Sequence, residues 1–196
     1  MLKNFLRLSA TLLAAYSLIA NGLIEHAAAA PEGVPIALAN GKLQLTAPQS
    51  WQQVAAKSRI VQYEFRAPSD AKEDEPTARI TIMGAGGSVE ANIDRWYGQF
   101  EQPDGQATRD KAKRESFEVA GLKVHWVDIP GKFKDSMGAG PFSGGKVVLR
   151  ENYRMLGAII AGPDQGQYFI KITGPEEVVE SLAADFKKML KELQVP

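Results

Sequence analysis

Cysteine is absent from this chain of 196 residues. Its absence excludes disulfides, thiol catalysis, zinc–thiolate sites and a lipidated N-terminal cysteine. Histidine is scarce as well, with only His26 and His125 in the sequence. A nucleophilic mechanism needs a base beside its nucleophile, so a serine mechanism would have to be built around His125, and no G-x-S-x-G elbow is present. A metal at His125 would need carboxylates brought in from elsewhere in the chain, and no spacing suggests them. No catalytic residue, metal or cofactor is therefore expected. An excess of one charge is missing too, since Lys plus Arg and Asp plus Glu each number 23. That balance supplies no long-range attraction to nucleic acid or anionic lipid, so nucleic acid is not expected as a partner.

What is present begins with a leader. Lys3 and Arg7 precede an apolar stretch from Leu8 to Ala20, and the small residues Ala27 to Ala30 follow. This is the layout of a secretory signal peptide, with cleavage expected after Ala29 or Ala30. The apolar stretch is shorter than the roughly 20 residues that span a bilayer, and no later segment is apolar enough to do so. Residues 1–30 thus read as the signal peptide and 31–196 as a single α+β domain, exported to the periplasm or beyond. Removing Lys3, Arg7 and Glu25 leaves one net negative charge. The remaining ~165 residues can bury about 70% of their unfolded surface, enough for a core without disulfides.

Period-2 alternation marks the strands. "GKLQLTAP" places Leu43 and Leu45 on one face, and "SRIVQYEFRAP" sets Ile60 and Gln62 against Val61, Tyr63 and Phe65. After the charged connector "SDAKEDEPT", a further strand is expected at "TARITIM". From Ser88 to Gln102, Val89, Ile93, Trp96, Tyr97 and Phe100 recur at the spacing of one helix face. "ESFEVAGLKVHWVDIPGKF" predicts a hairpin turning at Ala120-Gly121, and "YRMLGAIIAG" and "QYFIKIT" predict another around "GPDQG". A closing helix starts at Pro175, with Val178, Leu182, Phe186, Met189 and Leu190 as its stripe. The order β-β-β-α-β-β-β-β-α predicts a mainly antiparallel sheet with amphipathic helices packed on it.

The stretch "MGAGGSVEANIDRW", Met83 to Trp96, follows a strand with glycines and a helix start. That arrangement can hold an anion on bare backbone N–H groups. Gly86, Gly87 and Ser88 are the ligand-binding candidates. Gly84 and Gly86 begin a dinucleotide fingerprint, but Val89 occupies the place of its third glycine, and no Lys-Ser/Thr pair follows as in a P-loop. The competing account makes Gly86 and Gly87 the turn, Ser88 the helix cap and Glu90 a partner for the positive helix end. Among the carboxylates Glu64, Glu90, Asp94 and Asp128, Asp128 stands out because it shares a strand face with Trp126. The Gly/Pro/Ser-rich loop Gly131 to Lys146 carries Phe133, Met137 and Phe142. Apolar side chains there either tuck against the core rim or mark a contact surface. With Asp94 and Arg95 on the first helix, they are the partner-binding candidates.

"GGSVEANIDRWYGQF", "YRMLGAIIAG" and "YFIKITGP" with its closing helix resemble a group of exported bacterial proteins of unknown function, over about Trp51 to Leu193. The order of elements more distantly resembles the Mog1/PsbP-like fold. That resemblance implies an α-β-α sandwich and a non-catalytic accessory role with bound partners, and it carries no functional residues across. The expectation is an exported binding module for a protein or envelope component. The alternative is binding of a small anion or phosphometabolite at Gly84 to Ser88, with or without hydrolysis. An acid–base hydrolase using Asp128 is a third, remote option.

Overall fold

The computed structural model describes residues 33–136 and 147–196. The leader and the loop residues Met137 and Phe142 lie outside them. A hairpin opens the described chain, β1 (Gly33–Leu38) and β2 (Leu43–Pro48). Then come β3 (Gln52–Val54), β4 (Tyr63–Ala67), β5 (Ala78–Ala85) and helix α1 (Val89–Tyr97). β6 (Phe100–Glu101), α2 (Thr108–Lys111) and β7 (Lys113–Val119) follow. The two longest strands, β8 (Leu122–Asp135) and β9 (Val148–Gly162), lead to β10 (Gly166–Pro175) and the closing helix α3 (Glu176–Lys191).

The main sheet runs β3-β4-β5-β10-β9-β8, with β7 and β6 pairing different parts of the free edge of β8. Every neighbouring pair is antiparallel. Alternation along each strand then feeds two cores, one on either face of the sheet. In β10, for example, Ile170 and Ile172 enter one core and Phe169 the other.

α3 and the β1–β2 hairpin cover the first face. The buried residues of α3 are Val179, Leu182, Phe186, Met189 and Leu190, so Val179 takes the place in the stripe expected of Val178. The Phe186 ring lies 6.1 Å from that of Trp51 and 5.0 Å from that of Trp126. α1 covers part of the second face, burying Ile93, Trp96 and Tyr97 against Val127, Ile129, Met155, Ile159 and Phe169. It comes this close because Gly157 has no side chain: a Cβ there would lie 2.5 Å from Trp96 Cζ3. Helices therefore lie on both faces of a mainly antiparallel sheet, an α+β architecture.

Some boundaries differ from the sequence expectation. α1 stops at Tyr97 rather than Gln102, and Phe100 reaches the same core from β6. Residues Ser58 to Val61 form a turn rather than strand, closed by a hydrogen bond from the Val61 N–H to the Ser58 carbonyl. β1, β3, β6 and α2 were not expected at all. The Ala120-Gly121 turn stands where the sequence puts it, with both residues at positive φ, 49° and 76°.

Candidate functional site

α1 is short, and it leaves the β3-β4-β5 side of its face without a helix among the described residues. Strand register decides what stands there. One row across the sheet reads Gln52, Arg66, Arg79, Thr173, and the next reads Val54, Glu64, Thr81, Lys171. Paired residues share a face, so the row continuing through Gly157 to Val127 places all of these on the α1 side. The result is a polar quadrant beside the Trp96 wall.

Arg66 and Arg79 are direct cross-strand partners of like charge, an arrangement that destabilises a sheet when nothing offsets it. Glu64 offsets one of them. Arg79 donates from Nε and Nη2 to its two oxygens at 2.7 and 2.9 Å, and the Lys57 amide donates to Oε2 at 3.0 Å. Glu64 is 2% exposed. The Arg79 bonds, outweighing burial, hold its carboxyl below the ordinary value. Arg66 has no such partner: its Nη2 donates to Gln52 Oε1 at 2.7 Å, and its buried Nε has no acceptor among the described residues. The Lys171 ammonium donates to Gln99 Oε1 at 2.8 Å and lies 5.6 Å from the Trp96 ring centre. Burial pushes it down to about 8, and the charge of Arg79 pushes in the same direction. Strands β3, β4, β5 and β10 contribute no carboxylate but Glu64. The quadrant is thus a cationic floor with threonine hydroxyls at Thr81 and Thr173, suited to anionic oxygen.

The sequence-derived candidates lie elsewhere. Ser88 caps α1, its Oγ accepting from the Ala91 N–H at 3.2 Å. The buried Asn92 turns back to donate to the Gly86 and Ser88 carbonyls at 2.9 and 3.0 Å, which ties the glycine turn to its own helix. Gly87 sits at φ 83°, where glycine is favoured. Asp94 accepts from Arg109 Nη2 at 2.6 Å, and Arg95 Nη1 donates to Asn92 Oδ1 at 2.9 Å. Phe133 is half-buried between Phe100 and Tyr153, with ring centres at 5.3 and 6.1 Å, at the rim of the α1-side core. Asp128 lies within β8, buried, and accepts from both Nε and Nη2 of Arg154 at 2.8 Å. Arg154 also reaches Glu180 of α3, so the pair ties that helix to the sheet. His125 Nδ1 lies 3.1 Å from Ser116 Oγ on the exposed edge strand β7. Burial, then Lys123 and Arg114, push its imidazole below the ordinary value, while Glu90 opposes them.

Sequence reading passed over Arg66, Arg79 and Lys171. A signal for each was available: a cation set into an alternating strand, as in "YFIKIT", where the opposite face is wholly apolar.

No family model matches the chain, and no curated protein matches it. Among solved structures it is similar to cyanobacterial PsbP from Synechocystis sp. PCC 6803, with a TM-score of 0.46 and 12% identity over 83% of this chain and 91% of that one. It is also similar to LpqN of Mycobacterium tuberculosis, a protein described as involved in cell envelope biogenesis, with a TM-score of 0.43 and 12% identity over 83% and 90%. Both likenesses concern the course of the chain alone.

Proposed function

We propose that the protein is an exported, non-catalytic module that holds a protein or envelope component by an anionic group on the Arg66–Arg79–Lys171 quadrant. The observation that carries this reading is the Arg66–Arg79 pair, with one guanidinium neutralised and the other left with a buried, unpartnered N–H. An unmet buried donor costs about 1–3 kcal/mol, and like charges in register add to that cost. A carboxylate or phosphate bound over the quadrant would offset the like-charge repulsion. Export rests on the leader pattern of residues 1–30. The non-catalytic reading rests on the chemistry of the described groups. Ser116 and His125 form a pair, but the Glu90 carboxylate that could steady an imidazolium is already bound by both terminal nitrogens of Arg114. Asp128 is held in an ion pair.

Titration with inorganic phosphate and with a tetraglutamate peptide, followed by NMR, tests the assignment. Shifts are expected to centre on Arg66, Thr81, Lys171 and Thr173, and to vanish in the Arg66→Gln/Lys171→Gln double variant. Shifts centred on Gly86 to Ser88 would instead support the glycine turn as the anion site, and no shift with either probe would overturn the quadrant.

A further inference from the structure

Between β3 and β4 the chain makes a turn that is rigidly held yet presents its apolar tip to solvent. Its base is fixed at three points. The Lys57 amide donates to the buried Glu64 carboxylate, Val61 is 8% exposed, and the Gln62 amide donates to the Ile82 carbonyl at 2.8 Å. A further bond from the Val61 amide to the Ser58 carbonyl closes the turn at 3.1 Å. Arg59 and Ile60 are its central residues. Ile60 is 70% exposed, the most exposed of the large hydrophobics among the described residues, and Val54 at the start of the segment is 36% exposed. A flexible turn could fold Ile60 inward; this one, pinned on both sides, holds it out.

The charges within the segment itself have one sign, while Glu64 at its base is buried and bound by Arg79. From Gln52 to Gln62 the sequence holds Lys57 and Arg59 and no carboxylate. Exposed apolar residues interleaved with bases are what an interfacial membrane contact needs: the apolar tip enters the headgroup boundary and the cations meet anionic lipid. A whole-chain charge near balance says nothing against this, because the attraction acts within a Debye length of ~8–10 Å and reads the local charges.

We infer that the Lys57–Ile60 turn docks the protein peripherally on an anionic phospholipid bilayer, with Ile60 seated at the headgroup boundary. The inference stands on the turn and does not depend on the quadrant binding its anion. Two bases and one isoleucine give a reversible contact, which suits a protein that meets a membrane without crossing it.

Flotation of the mature chain, residues 31–196, with vesicles of about seven parts phosphatidylcholine to three parts phosphatidylglycerol tests it against phosphatidylcholine alone. Binding is expected to the anionic vesicles only. It should weaken roughly tenfold in Ile60→Ser and about fivefold for each of Lys57→Gln and Arg59→Gln. These positions are exposed, so the variants should fold. The Arg66→Gln/Lys171→Gln variant should float as the wild type does, which separates the turn from the quadrant. In Ile60→Trp, emission should move to the blue on adding anionic vesicles and stay unchanged with neutral ones. Equal flotation with both vesicle types, no loss in Ile60→Ser, or an unmoved emission in Ile60→Trp would overturn the inference.

Discussion

The surroundings of Lys171 oppose its own charge. Burial and Arg79 lower its ammonium to about 8 from the ordinary 10.5, although Gln99 and the Trp96 ring both favour the cation. A lysine kept where its charge is disfavoured costs stability, a pattern common at binding sites. Between about 8 and 10.5 the unfolded chain holds the proton that the folded chain has released. Wild-type stability from this group therefore rises with pH across that window, and below it the full penalty applies. Lys171→Met should accordingly be more stable at pH 7 by about 1–3 kcal/mol. Its advantage should shrink as pH climbs past 8, while phosphate binding is lost at all pH values. Thermal melts from pH 6 to 10 measure this; a lower melting point for the variant at pH 7 would mean that the Gln99 and Trp96 contacts outweigh the burial.

Single elements show what local pattern could and could not reveal. α1 was legible because Ser88, Ile93, Trp96 and Tyr97 carry a cap and a stripe within one helix. Its end was not, because Phe100 keeps the helical spacing while entering the same core from a strand. β3 has three exposed residues and no alternation to read, and Ser58 to Val61 alternates like a strand but closes on itself. The quadrant was hidden for another reason: strand register alone sets Arg66 opposite Arg79, and Lys171 joins them from β10, far along the chain. What holds α1 beside that quadrant is the bare backbone at Gly157. Gly157→Ala should force Trp96 off β9, destabilise by about 1–3 kcal/mol and loosen the wall beside Lys171. Near-ultraviolet circular dichroism and the phosphate titration should register the change together. A variant with wild-type stability and binding would show that α1 can back away without harm.

Across the whole molecule, one sheet serves two cores, and every central strand contributes to both. β8 gives Val124 and Trp126 to the α3 side and Val127 and Ile129 to the α1 side; β9 and β10 divide their residues likewise. A loss on one side must therefore reach the other through shared backbone. Phe186 is the place to test that coupling, since its ring joins Trp51 and Trp126 and it is fully buried under α3. Phe186→Ala removes that link and leaves a cavity, at a cost of about 3–5 kcal/mol. If the two cores form one cooperative unit, Trp96 on the far side should lose its environment at the same lowered temperature as Trp51 and Trp126 on the near side. Single-tryptophan versions of the variant, melted by fluorescence, read each side separately. Coincident midpoints fit a sheet that transmits the loss, so that the cationic quadrant survives only as long as α3 stays docked on the opposite face. A Trp96 transition left at its wild-type temperature would show that the α1 side, with its quadrant, holds together by itself.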